Sequence, residues 1–461
     1  MEKNPYAYEY QHIMKTDSKC LNNAYDFCEG YKKFLNAAKT ERECTKTIIE
    51  MAKKNGYKEF DKNIKPNAGD KLYFNNREKS VILMTIGSKD LSEGINFVIS
   101  HIDSPRLDLK ANPVYEKEEI AYFKTHYYGG IKKYQWPTIP LSMHGRIFKN
   151  DGSFVDISLG DKEGDTKFII SDLLPHLAEE QEKRSLKDGI KGEELNIIIG
   201  SIPIEAESKD IKDTVKAKTL QILNEQFGIV EKDFARAEIE FVPANNASDI
   251  GFDKSMIAAY GQDDKVCAYP SLIAEFENVN PELTSVAVFT DKEEIGSEGN
   301  TGMVSTYVFD VIEDLCDLYG VKARDVYRKS ICLSSDVNAA YDPTFYEAFE
   351  IRNSSLINHG AILTKFTGHR GKSAANDASA ETLYKVIDLF EKDNVVWQPA
   401  ELGKVDIGGG GTIAMYVSQR NIDTVDVGIA VMSMHSPYEL TSKLDIYHTY
   451  KAYKAFLKNA N

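Results

Sequence analysis

Between residues 20 and 55, apolar positions recur at spacings of three and four, with Phe27, Tyr31, Phe34, Leu35 and Ala38 on one face. That period predicts helix. Short apolar runs rich in β-branched residues follow at 81–86 and 96–100, the second ending directly at His101. From about 108 to 240 the character changes. Short alternating segments at 145–148, 154–159 and 167–170 lead into a charged run at 179–191. A strand-like stretch at 195–199, an amphipathic helix over 211–227 and a strand at 237–242 come next. This middle region reads as mostly β, and its charged run as a solvated surface. From about 250, helical stretches at 265–278, 304–320, 377–392 and 443–458 alternate with apolar strands at 284–289, 330–333 and 425–431. Such alternation predicts an α/β fold, a mostly parallel sheet flanked by helices. One domain is expected from 1–107 and 241–461, interrupted by a β-rich insertion at 108–240.

Composition narrows the functional classes. The 461 residues are 42% hydrophobic and 28% charged, so the chain can bury a large core. Lys and Arg number 56 against 71 Asp and Glu, a net charge of −15. That balance weighs against nucleic-acid binding, which needs clustered cations, and supplies hard-metal ligands in excess. The cysteines at 20, 28, 44, 267, 316 and 332 form no CxxC pair, which removes zinc-finger and thioredoxin readings and fits a reducing cytosol. No apolar leader opens the chain, and the apolar runs at 81–86 and 427–432 fall far short of the roughly 18–20 residues of a membrane span. The expectation is a cytoplasmic protein with no membrane partner. No internal repeat or low-complexity segment is visible.

Candidate chemistry follows the strands. His101-Ile102-Asp103 comes after the run at 96–100, Asp291-Lys292-Glu293-Glu294 after 284–289, Asp336 after 330–333, and His435 after 425–431. Open parallel sheets place their sites beyond the carboxyl ends of their strands. Four strands therefore deliver imidazoles and carboxylates to one edge, and an acidic turn, Gly261-Gln262-Asp263-Asp264, opens a helix. Imidazole with carboxylate suits a borderline divalent ion such as zinc, cobalt or manganese. The carboxylates are too many for one tetrahedral zinc, but two ions sharing a bridging carboxylate use them all. One member of Glu293-Glu294 can ligate while the other serves as general base. Asp103 can hold the second N–H of His101. Taken singly, each feature has a bland reading: a hydrogen-bonded structural histidine, exposed helix charge, or a helix N-cap. Their recurrence at one edge is what points to a metal site.

The motifs His-Ile-Asp-Ser-Pro-Arg (101–106), Gly-Gln-Asp-Asp-Lys-Val (261–266), Asp-Lys-Glu-Glu-Ile-Gly-Ser (291–297), Ser-Ser-Asp-Val-Asn (334–338) and Met-His-Ser (434–436) resemble, in order, those of the aspartyl aminopeptidase family, metallopeptidase family 18. Gly-His-Arg-Gly-Lys (368–372), Asn-Asp-Ala (376–378) and the glycine run at 408–411 extend the resemblance over nearly the whole chain. It implies a co-catalytic zinc exopeptidase of the bacterial type that removes N-terminal residues from peptides. Asp263 would bridge two metals, His101 and Asp336 would complete one site, and Glu294 and His435 the other. Glu293 would be the general base and Asp103 the partner of His101. His176, in Pro175-His176-Leu177 of the insertion, resembles a residue that contacts the substrate carbonyl, often across a subunit boundary, and is sometimes counted as a metal ligand. Five ligands already account for two metals, so transition-state contact is the role favoured. The resemblance also implies a lid and dimerisation role for the insertion and assembly into a tetrahedral dodecamer. Members differ in preferring acidic or neutral N-terminal residues.

Other residues read more plainly. His12, His126, His144, His359 and His448 are expected to be surface or structural. Lys365, His369, Arg370 and Lys372 are weak pocket candidates that can equally pair with acidic neighbours. The glycine run at 408–411 lacks a P-loop ending and suits close backbone approach instead. Two alternatives stay open: an N-acyl amino-acid deacylase or carboxypeptidase on the same metals, and a non-catalytic shell.

Overall fold

The computed structural model describes residues 6–205 and 212–459. Residues 1–5, 206–211 and 460–461 lie outside this description, and with them most of the N-terminal segment considered for a leader and the first residue of the helix expected over 211–227. The chain divides into two units, one of Met1–Asp103, Ala247–Met434 and Glu439–Asn461, the other of Ser104–Asn246 with His435–Tyr438.

The first unit is built on a nine-stranded sheet. Its middle strands are the apolar runs of the sequence. Ile95–His101 and Thr284–Thr290 are buried at every residue. They pair in parallel, with His101 opposite Thr290. Ile331–Ser334 pairs in parallel on the other side of Ile95–His101, and Asp423–Gly428 in parallel beyond it. Near-continuous apolar runs form such strands because helices cover both faces. Alternate residues of Thr284–Thr290 show this. Ala287 and Phe289 join a core with Tyr31, Leu35 and Ile48, while Val286 and Val288 join another with Val308, Ile312 and Leu315. Each flank joins this middle through an antiparallel pair: Ser80–Thr85 against Thr284–Thr290, and Ala361–Thr364 against Asp423–Gly428. Four parallel strands thus end at one edge.

Three local differences from expectation have physical reasons. The helical pattern over 20–55 forms two helices, Leu21–Ala37 and Glu41–Lys54. Thr40 caps the second: its hydroxyl accepts from the Glu43 N–H and its own N–H donates to the Glu43 carboxylate, both at 3.3 Å. The run at 425–431 splits into Asp423–Gly428 and Ala430–Met432, and the second piece joins a different, five-stranded sheet. That sheet, built from Asn338–Ala339, Ser248–Ile250, Met256–Ala259, Ala430–Met432 and Glu439–Ser442, escaped the sequence reading because its strands are two to four residues long.

The second unit holds a seven-stranded sheet with antiparallel pairing throughout. Its core gathers Trp136, Phe123, Phe241 and Leu141. The charged run at 179–191 is mostly exposed, with Lys183 paired to Glu179 and Glu180. Among the described residues no helix is long and apolar enough to cross a membrane. The six cysteines are buried free thiols.

One buried acid makes the first unit sensitive to pH. Glu275, on the helix Gln262–Glu277, accepts from the Thr85 hydroxyl at 2.6 Å and the Tyr57 hydroxyl at 3.2 Å. Burial pushes its carboxyl up from 4.5 to about 7. Between those values the folded chain holds a proton that the unfolded chain has lost, so this group's contribution to stability falls as pH rises through 7. A Glu275→Gln variant removes that titration. Its Tm relative to wild type should rise between pH 5 and pH 8, as followed by thermal unfolding; a gap independent of pH would contradict the assignment.

Candidate metal centre

Within the first unit, His101, Glu293, Glu294 and Asp336 sit at or just past strand ends, and Asp263 at the start of a helix. His101 closes Ile95–His101 and is 1% exposed. Its backbone N–H donates to Asp264 Oδ2 at 3.3 Å. Its Nδ1 lies 3.1 Å from the Asp103 carbonyl oxygen and 3.4 Å from Asp103 Oδ1. A carbonyl only accepts, so Nδ1 carries a proton and Nε2 is the nitrogen turned toward the remaining acids.

Three carboxylates meet that nitrogen. Asp263 Oδ1 is 3.1 Å from Nε2, and Glu293 Oε2 and Asp336 Oδ1 are each 3.9 Å away. Two overlapping donor sets result, His101 with Glu293 and Asp336, and His101 with Asp263 and Glu294, the atoms of each lying within 4.8 Å of one another. Backbone conformation aims these groups. Asp263 and Asp264 depart from helical geometry at the start of their helix, joined by a cis peptide, after Gly261 at φ 70°. Glu293 and Glu294 follow Lys292 at φ 68°. Their amides donate to the two oxygens of Asp103, at 3.1 and 3.2 Å. Ser335, just before Asp336, donates its N–H to the Ile99 carbonyl at 2.7 Å.

The charges need a counter-ion. Burial first, then the neighbouring Glu293 and Asp264, hold the Asp336 carboxyl well above its ordinary range. Burial opposes charge on His101, but Asp103, Asp263 and Glu293 together outweigh it and hold the imidazole well above its usual value. Two like charges about 4 Å apart repel by about 4 kcal/mol at an effective dielectric of 20, several times the worth of a surface ion pair. One imidazole cannot balance three acids. A nitrogen with several hard oxygens at this spacing is the donor chemistry of a borderline divalent cation, so these residues fit a metal ion.

The other predicted residues divide between the two units. His435 belongs to the second unit, where its Nδ1 donates to the Gly130 carbonyl at 2.9 Å. His176 is exposed in the second unit, on the short turn Pro175–Leu177. Lys365, His369, Arg370 and Lys372 are exposed in the first. Lys372 pairs with Asp377 at 3.1 Å and lies 3.8 Å above the Phe366 ring. A further donor group, Asp17, Cys20 and His448, is different in kind. His448 Nδ1 accepts from the Val396 N–H at 3.1 Å, which leaves the proton on Nε2, facing Asp17 Oδ2 at 3.6 Å. Lys451 already stands 3.1 Å from Asp17. Asp17 therefore already has a cationic partner.

Two residues unread in the sequence shape the centre. Asp264, taken with Asp263 as a helix-start signal, lies under the His101 backbone instead. Gly428 has no side chain where a Cβ would come within 1.7 Å of the Asp336 carbonyl oxygen. Only the position of Gly428 at the end of an apolar strand hinted at a special role.

A family model described as aminopeptidase I zinc metalloprotease (M18) matches residues 34–457. A probable M18 family aminopeptidase 1 of Clostridium acetobutylicum is 45% identical over 453 residues, covering 96% of this chain and 97% of its own. The crystal structure of an M18 aminopeptidase from Thermotoga maritima superposes with a TM-score of 0.93 at 41% identity, covering 98% of this chain and 100% of that one. A structure described as an S. cerevisiae mApe1 dodecamer gives 0.75 at 21% identity, covering 95% and 97%, a likeness of fold alone. The fold and its acidic strand edge define a metal-dependent hydrolase. The chain belongs to the M18 family of zinc metalloproteases and is an aminopeptidase.

The Gly428 contact gives a direct test. Gly428→Ala forces the Asp336 turn to move, and overpacking of this kind typically costs about 1–3 kcal/mol. Thermal unfolding of the purified variant should show a clear drop in Tm; an unchanged Tm would mean the turn yields freely.

Proposed function

We propose that the chain removes N-terminal residues from peptides with a free amine, using two divalent metal ions, most simply zinc, with cobalt or manganese as substitutes. The observation that carries this reading is the convergence of Asp263, Glu293 and Asp336 on Nε2 of His101. Asp263 would bridge the ions, His101 and Asp336 would hold one, and Glu294 and His435 the other. The assignment of His435 rests on the Met-His-Ser motif, and that of His176 as a substrate contact on Pro-His-Leu. Bound divalent ions polarise a carbonyl and acidify water.

The chain's own groups do the rest. Glu293 takes a proton from the attacking water and returns it to the leaving amine. Asp103 keeps Glu293 in place through its amide and fixes the tautomer of His101, so neither group reorganises during turnover. Assembly into a closed dodecamer is part of the proposal, supported by the fold shared with the yeast dodecamer. A shell of that kind admits short or unfolded peptides. The insertion serves there as lid and dimerisation domain, and the protein works in the cytoplasm.

The test is a turnover panel on metal-loaded protein, with free and N-acetylated peptides beginning with Asp, Glu, Leu, Met or Lys. Free-amine peptides should be cleaved and blocked ones left intact. Glu293→Ala should keep its metal by elemental analysis and lose about 10²–10⁴-fold in kcat, the usual worth of a general base. Cleavage of the blocked set would move the assignment to a deacylase or carboxypeptidase; bound metal with no turnover would favour a non-catalytic shell.

A further inference from the structure

Asp263 can face His101 only if the start of its helix is held in place. The first amides of any helix lack acceptors within it, and a side chain at the preceding position usually supplies one. Here that position is Gly261, which has none. The acceptor comes from far along the chain. Glu439, 1% exposed, accepts from the Gln262 N–H at 2.7 Å and the Asp263 N–H at 3.1 Å, both on Oε2. The grip is mutual. The Gln262 side chain donates to the Glu439 carbonyl at 2.6 Å and to the Ile257 carbonyl at 3.1 Å. Glu439 is fixed in turn by strand pairing, standing opposite Ala259 in the five-stranded sheet.

We propose that Glu439 is a positioning residue for the metal centre, acting through the backbone of Asp263; this rests on the reading of Asp263 as a ligand. The carboxylate does more than fill a cap. Its charge strengthens both hydrogen bonds. It also adds a buried anion beside an acidic cluster, which a cation in that cluster offsets. Glu439 stands four residues after His435 in Met-His-Ser-Pro-Tyr-Glu, so one short segment carries both a proposed ligand and the clamp on another.

The experiment measures Zn²⁺ affinity of the full-length protein by competition with a chromogenic chelator, alongside apo-protein Tm and the kcat and KM of the loaded enzyme. Glu439→Ala should fold and weaken Zn²⁺ binding about 10–100-fold, the usual cost of losing a residue that orients a ligand. Its kcat should fall with little change in KM. Glu439→Gln keeps an acceptor oxygen without the charge and should recover part of the loss. Asp445→Asn is the structural control. Asp445 is equally buried and accepts the amides of Asn358 and Gly360 at 2.7 Å each, so its variant should lower Tm and leave Zn²⁺ affinity unchanged. Wild-type affinity in Glu439→Ala, with affinity lost in Asp263→Asn, would overturn the role of Glu439 alone. Wild-type affinity in Asp263→Asn would instead overturn the reading of Asp263. If the alanine variant does not fold, wild-type affinity in Glu439→Gln overturns the proposal.

Discussion

The carboxylate of Asp103 is the group on which the arrangement turns. It is fully buried, and its two oxygens take the amides of Glu293 and Glu294. One of them also lies 3.4 Å from His101 Nδ1, while the residue's own carbonyl accepts from the same nitrogen. A single residue therefore sets the tautomer of the imidazole and the height of the glutamate pair. It can do so because the parallel pairing of Ile95–His101 with Thr284–Thr290 puts His101 opposite Thr290. Sheet register becomes site geometry with one hydrogen-bonded step between them.

Burial gives that arrangement its chemical tension. Acids that repel one another at a few ångströms in solvent are here confined on a rigid frame, where screening is weak. Folding places them in a state that favours uptake of positive charge. The energy that holds the frame comes from the apolar faces of the sheet, spent well away from the acids themselves. Stability and chemistry are thus drawn from different parts of the same strands.

How much of this was legible in the sequence depends on the range of the interaction. The helices and long buried strands were legible because their periods are local. The strand-end positions of His101, Glu293, Glu294 and Asp336 were legible because each follows an apolar run directly. The break at Thr40 was overlooked, although its capping box is a local signal. Glu439 and Gly428 were illegible. Each matters through a contact with a residue some 90 to 180 positions away, Gly428 against Asp336 and Glu439 against Asp263. Asp264 received no role of its own, because an Asp-Asp pair before a helix is ordinarily a cap, and here the acceptor comes from another strand. The family motifs single out positions without showing what holds them.

The first unit is assembled from separated stretches of chain, and this affects when the centre can exist. Its middle strand, Ile95–His101, lies between Thr284–Thr290 and Ile331–Ser334. During synthesis that strand waits, unpaired on both sides, until nearly two hundred more residues have emerged. Closing loops of that length is slow, and contacts so distant form late. No short fragment of the chain can bring the acids of 293, 294 and 336 to the histidine at 101. A cluster scattered in this way has a built-in delay: nascent and truncated chains lack it, and it appears only with a nearly finished fold.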